Sequence, residues 1–186
     1  REVIAHEYFH MYQRVHDKHN MSESMLTNKN KFPTRGPYWF IEGSAEYSAL
    51  ITANVNAWSN MKDELQSSIN EISYRRKQED NQYSKSLSLS ENITRADHES
   101  LTTDEQSGSN VYTISGLAVA YAVALSSHDS VMVDYWDDLQ EYGAKESFRR
   151  NVGMSFEEFQ IEFEELLDSE SPNKQLEILM GLVVDN

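Results

Sequence analysis

REVIAHEYFH, residues Arg1–His10, is the segment from which the rest of this chain can be interpreted. It contains the pattern His-Glu-x-x-His, in which the two histidines are His6 and His10. Residues four apart lie on one face of an α-helix, so the two imidazole rings can present nitrogens to a single point. Glu7 lies about 100° round the helix, close enough to reach a water at that point. A catalytic zinc ion needs this set of groups, together with one more protein ligand.

Apolar residues recur through this segment at helical spacing, and no glycine or proline interrupts them before Asn20. These apolar positions are Val3, Ile4, Tyr8, Met11, Tyr12 and Val15. The sequence therefore predicts a helix that ends near Asp17, where a C-terminal dipole favours histidines such as His16 and His19. His16 has the spacing of the third ligand in His-Glu-x-x-His-x-x-Gly-x-x-His, but Gln13 occupies the glycine position at which that chain turns back. We therefore expect His16 and His19 to be solvated.

The length and composition of the chain limit the classes of protein to which it can belong. Its 186 residues suit one domain with a substantial core. The net charge of −15 argues against a nucleic-acid partner and an anionic membrane surface, since both need basic patches. The absence of cysteine excludes cysteine-ligated zinc, a thiol nucleophile and disulfides. No apolar run approaches the length of a membrane span.

A second helix is predicted from Pro37, a favoured residue in a first turn, with the sequence PYWFIEGSAEYSAL. Glu42 lies among its aromatic and apolar residues, where a carboxylate is costly unless it is paired or binds a metal. Glu42 is therefore the candidate third ligand. Glu46, one turn further on the same face, can accept the second ring N–H of a ligand histidine. The small residues from Gly43 to Ala45 would let this helix approach the first closely. The alternative is an amphipathic helix with two surface glutamates.

The remaining sequence predicts further helices and no convincing strand. A surface helix is expected over residues 57–80, ending in the solvated charged run RRKQED, and a polar loop that could cover a cleft over residues 20–36. Residues 81–109 are expected to form a long loop or insertion in which His98 is exposed. A mostly buried helix follows over residues 110–125. Amphipathic helices are expected over residues 131–142, 147–151, 156–167 and 176–184, with Gly143 and Gly153 at stops.

HEYFH at residues 6–10 and WFIEGSAEY at residues 39–47 together resemble the gluzincin metallopeptidases, and they are similar to bacterial peptidase MA-like domains of that group. The resemblance implies that residues 1–186 form a single domain, the all-α helical half of a gluzincin, whose small sheet would lie before Arg1. It implies one zinc ion per chain, held by His6, His10 and Glu42, with Glu7 as the general base. It also favours a periplasmic or extracellular location.

A tyrosine shortly before a glycine, at the start of a buried helix, stabilises the oxyanion in many gluzincins. Tyr112, four residues before Gly116, resembles that residue. The alternative for Tyr112 is a core aromatic near the cleft, and Tyr121, in mid-helix, is expected to serve packing.

The predicted function is zinc-dependent hydrolysis of peptide bonds in a peptide or protein substrate. Two other classes stay open. One is a metal-binding but inactive module that binds a partner, against which the intact Glu7 counts. The other is a helical protein-interaction fragment with a fortuitous motif, which metal content would distinguish. Neither the oligomeric state nor the sequence of the substrate follows from these residues.

Overall fold

The structure is a computed structural model that describes residues 2–17, 29–78 and 83–181. Over these ranges the chain forms α-helices without any strand, which confirms the predicted all-α class. The helices are α1 (Glu2–Val15), α2 (Tyr38–Val55), α3 (Met61–Arg76), α4 (Arg95–Leu101), α5 (Glu105–Leu125), α6 (Tyr135–Val152), α7 (Phe156–Ser169) and α8 (Pro172–Leu179). Short 3-10 helices at Ser84–Leu87 and Leu89–Glu91 precede α4, and a π-helical turn at Ser130–Asp134 leads into α6. The polar loop predicted to cover a cleft lies mostly outside the described residues.

Helix α2 occupies the centre of the fold, with α1 on one side and α5 on another. A Cβ atom at Gly43 would lie 2.2 Å from the carbonyl oxygen of Ser115, so α2 and α5 touch backbone to backbone there. The small residues of α2 were expected to serve its approach to α1, and this expectation is wrong for Gly43. Helical periodicity tells which residues share a face, but it does not tell which neighbour covers that face.

Aromatic residues hold the start of α2 against α6 and α7. Trp39 stacks on Phe159 with ring centroids 5.4 Å apart, and Phe40 stacks on Trp136 at 5.9 Å. All four side chains are fully buried. Burial of such large aromatic surfaces stabilises the fold strongly. Because Glu42 follows two residues after Phe40, this packing also fixes the backbone from which Glu42 projects.

The predicted helix at the start of the chain is present as α1, but its apolar stripe faces outward. Val3, Ile4, Tyr8, Met11 and Val15, here called the α1 outer face, are each at least 61% exposed. The residues that α1 buries are Phe9 and Gln13. The periodicity therefore predicted the helix correctly and did not identify its packed side.

The loop or insertion predicted for residues 81–109 is wrong over most of its described part. Both 3-10 helices, α4 and the first turn of α5 lie in this range. Helix α4 begins at a capping box, in which Thr94 accepts from the Asp97 N–H and Asp97 accepts from the Thr94 N–H. Few apolar residues occur here, so the hydrophobic pattern misses these elements, although the capping pair is visible in the sequence.

The charged run at the end of α3 is only partly solvated. Arg76 donates to Glu164 on α7 at 2.6 Å and to the carbonyl oxygen of Leu87 at 2.8 Å. The carboxylate of Glu164 in turn accepts from the hydroxyl of Ser88 and the N–H of Leu89. Arg76 thus joins α3, the 3-10 helices and α7.

Helix α5 is long and apolar enough to cross a membrane by length and composition alone, and it is the one such helix in the ranges described. In its most apolar stretch, 56% is buried inside the protein. A core helix passes the same test, so a single helix of this kind is weak evidence for a span. Residues 2–17, 29–78 and 83–181 therefore contain no clear membrane span, in line with the sequence.

Candidate metal centre

Three side-chain atoms from α1 and α2 converge on one point. The Nε2 atoms of His6 and His10 are 3.0 Å apart, and the Oε2 atom of Glu42 lies 3.1 Å from His10 Nε2 and 3.5 Å from His6 Nε2. Ligands held about 2.0–2.1 Å from a tetrahedral zinc ion lie about 3.3 Å from one another. The observed separations bracket that value, so the three residues fit a zinc ion. In the part of the chain that the structure describes, these three form the group that could hold a metal.

The convergence needs ring hydrogens or a metal ion between its atoms, because the ionised Glu42 carboxylate can only accept. The side chains of His6, His10 and Glu42 are 13%, 15% and 12% exposed. Burial lowers the pKa of His6, but hydrogen bonds with Glu42 and Glu46 outweigh it and raise the pKa to about 9. Burial raises the pKa of Glu42, but hydrogen bonds with His10 and His6 bring it down to about 2. In the metal-free protein these shifts favour a protonated His6 beside an ionised Glu42.

Glu46 lies beside the other nitrogen of His6. Its Oε1 atom is 2.8 Å from His6 Nδ1, although the ring N–H does not point straight at the oxygen. Glu46 is four residues after Glu42, so the helix brings both carboxylates to the same imidazole. A carboxylate in this position selects the tautomer that leaves Nε2 free for a metal.

Glu7 and Tyr112 line one cavity beside the metal-binding group. This cavity of about 430 Å³ is also lined by His6, Glu46 and Gly116. The ring of Tyr112 lies edge-on to that of His6, with centroids 6.1 Å apart. Burial raises the pKa of the Tyr112 hydroxyl, and the charges of the nearby glutamates raise it further, so Tyr112 keeps its proton at neutral pH. The structure thus brings both predicted catalytic residues to the same cavity.

His98 also reaches this site, although its polar stretch of sequence predicts an exposed loop. It is 9% exposed and stacks on Tyr38 with centroids 5.2 Å apart. Its Nε2 atom lies 3.5 Å from the Tyr112 hydroxyl, and its Nδ1 atom lies 3.3 Å from Asn92 Oδ1. Burial lowers the pKa of His98. A neutral His98 that donates to Asn92 can accept from the Tyr112 hydroxyl.

The other histidines near α1 do not join the group. His16 lies in the turn after α1, where its Nδ1 atom is 3.1 Å from Asp137 and its ring contacts Tyr12. It is paired rather than simply solvated, and it is not a ligand. His19 lies outside the described residues.

Comparison of the chain with protein-family models, with curated proteins and with solved structures finds no match. The functional interpretation therefore depends on the chemistry and geometry of the site.

Proposed function

We propose that this chain carries the metal centre of a zinc-dependent peptidase of the gluzincin type. One observation carries the proposal. His6 Nε2, His10 Nε2 and Glu42 Oε2 lie 3.0–3.5 Å from one another at the edge of a cavity that Glu7 and Tyr112 line. This combination supplies three ligands, a base and a hydrogen-bond donor at one place.

The proposed chemistry assigns one role to each residue. When bound, zinc supplies Lewis acidity, which lowers the pKa of a water and polarises a carbonyl group. Glu7 accepts a proton from the attacking water and later delivers it to the leaving amine. The hydroxyl of Tyr112 donates a hydrogen bond to the oxygen on which negative charge develops. His6, His10 and Glu42 would hold the ion, while Glu46 would fix the orientation of the His6 ring.

The substrate class is proposed from the resemblance of the motifs at residues 6–10 and 39–47 to the gluzincins, which hydrolyse peptide bonds.

Metal content and activity test the proposal. We expect about one zinc ion per wild-type chain, little in Glu42→Ala, and the wild-type amount in Glu64→Ala, whose glutamate lines the cavity away from the ligands. Glu7→Gln should keep zinc but lose at least about 100-fold in the hydrolysis of a mixed peptide library. Equal zinc in wild type and Glu42→Ala would refute the ligand set. Full activity in Glu7→Gln would refute the proposed base.

A helical protein-interaction module is the second candidate function. The exposed apolar residues of the α1 outer face favour it, since such a surface suits a protein partner. A helical protein-interaction module would require no metal. Zinc bound by wild type and lost from Glu42→Ala would exclude a purely fortuitous motif, and hydrolysis lost from Glu7→Gln would exclude an inactive metal-binding module.

A further inference from the structure

We propose that Gln13 is a positioning residue that fixes the His10 tautomer and ties the two ligand-bearing helices together. The inference rests on the proposed metal centre but concerns a residue outside its ligand set. Gln13 is fully buried. Its Nε2 atom donates to the carbonyl oxygen of Ile41 at 2.8 Å, and its Oε1 atom lies 2.8 Å from His10 Nδ1. Burial of an amide is costly without hydrogen bonds, so these two contacts are what allow Gln13 to lie in the core.

The chemistry of these partners determines where the hydrogens lie. The carbonyl oxygen of Ile41 can only accept, so the amide nitrogen of Gln13 must face it. The Gln13 oxygen then faces His10, and this oxygen can only accept as well. His10 Nδ1 must therefore carry the hydrogen. With the hydrogen held on Nδ1, a neutral His10 has its Nε2 lone pair available for a metal, whereas without metal Nε2 can also carry a hydrogen that it donates to Glu42.

The same contacts set the distance between the ligands. Gln13 lies on α1 one turn after His10, and Ile41 immediately precedes Glu42 on α2. The chain of hydrogen bonds thus runs from the imidazole of one ligand to the backbone beside another. Loss of the amide would free the His10 ring to rotate or change tautomer, and it would loosen α1 against α2 at the ligands.

Two substitutions separate positioning from packing. Gln13→Met keeps the length of the side chain but removes both hydrogen bonds. Gln13→Glu loses the donor to Ile41 and keeps an acceptor for the His10 N–H. We expect Gln13→Met to bind zinc about 10–100-fold more weakly than wild type, and Gln13→Glu to retain most of that affinity even if its stability falls. If Gln13 served packing alone, the zinc affinity of each variant would fall in proportion to its loss of stability.

Nitrogen-15 NMR of the metal-free protein provides a readout that requires neither zinc nor activity. In wild type, His10 Nδ1 should carry hydrogen whether or not Nε2 also carries one, and in Gln13→Met the hydrogen on Nδ1 should be partly or wholly lost. A wild-type His10 without hydrogen on Nδ1 would overturn the inference, as would unchanged zinc affinity in folded Gln13→Met. If Gln13→Met does not fold, the presence or absence of hydrogen on Nδ1 in wild type supports or overturns the inference. A wild-type protein that lacks zinc affinity but carries hydrogen on His10 Nδ1 would refute the proposed function and leave this inference standing.

Discussion

Substitution of Gly43 by alanine tests whether the close contact of α2 and α5 holds the metal centre in place. An added Cβ atom would lie 2.2 Å from the Ser115 carbonyl oxygen, 2.7 Å from its carbon and 2.9 Å from a methyl group of Val119. Two of these atoms belong to a helix backbone and cannot rotate away. To reach an ordinary contact, the two helices must separate by roughly 1 Å, which forfeits about half of the dispersion energy across the contact.

The expected magnitude follows from two opposed effects. Overpacking of a tight contact costs about 1–3 kcal/mol, and the backbone clash places Gly43→Ala at the upper end. Alanine regains about 1 kcal/mol relative to glycine inside a helix. We therefore expect a net loss of about 2 kcal/mol in the free energy of unfolding. For a domain of this size, this corresponds to a fall of about 4–8 °C in Tm.

Gly108→Ala provides a matched control, because Gly108 also lies within a helix. No described atom lies within 4 Å of its added Cβ, so only the gain in helix propensity of about 1 kcal/mol should appear. Thermal and urea unfolding of both variants measure the difference, which should be about 3 kcal/mol. Zinc affinity should fall in Gly43→Ala alone, because Glu42 is its neighbour. Equal stability of the two variants would refute the close contact and the packing argument built on it.

Three further predictions concern other contacts of the site and the fold. Tyr112→Phe should keep the fold and zinc content but lower kcat about 10²–10³-fold in a peptide-hydrolysis assay, because the developing oxyanion loses its hydrogen-bond donor; an unchanged kcat would contradict this role. In EDTA, the raised pKa of His6, about 9, should stabilise the fold fully below pH 6.5, and this contribution should disappear as the pH rises through about 9. Urea unfolding should show a loss of at most about 3 kcal/mol over that range, absent from His6→Ala. Glu164→Ala should cost about 2 kcal/mol in thermal unfolding, since it removes the one carboxylate that accepts from Arg76, the Ser88 hydroxyl and the Leu89 N–H; an unchanged Tm would contradict the network.

Local sequence patterns were sufficient to predict helices α1 and α2 and the helix faces on which the candidate ligands lie. His6 and His10 share a face because of their spacing, and the helix that carries Glu42 could be recognised from Pro37 and its apolar residues. The pairing of Glu46 with His6 also follows from one turn of helix. Each of these inferences depends on residues within a few positions of one another, where helix geometry alone determines the outcome.

Features that depend on distant partners were not predictable in the same way. Glutamine usually lies on the surface, so nothing near Gln13 in the sequence predicts that it is buried. Its burial depends on a hydrogen bond to the Ile41 carbonyl oxygen in another helix. His98 lies in a polar stretch whose few apolar residues suggested a loop, yet it packs between Tyr38 and Tyr112. The capping pair predicts the residue at which α4 begins, but it does not predict which side chains of α4 reach the site.

The metal centre and the stability of the fold depend on the same charge. Glu42 is largely buried and ionised, so it requires a positive partner, and His6 supplies one by holding a proton up to a pH of about 9. In the proposed site a zinc ion would have to displace that proton to reach the Nε2 atom, and it would then replace the charge that the proton provided. Under this proposal the site would hold a positive charge with or without metal. This explains how a buried carboxylate beside two imidazoles can be accommodated in the metal-free fold while the ligands stay within 3.5 Å of one another.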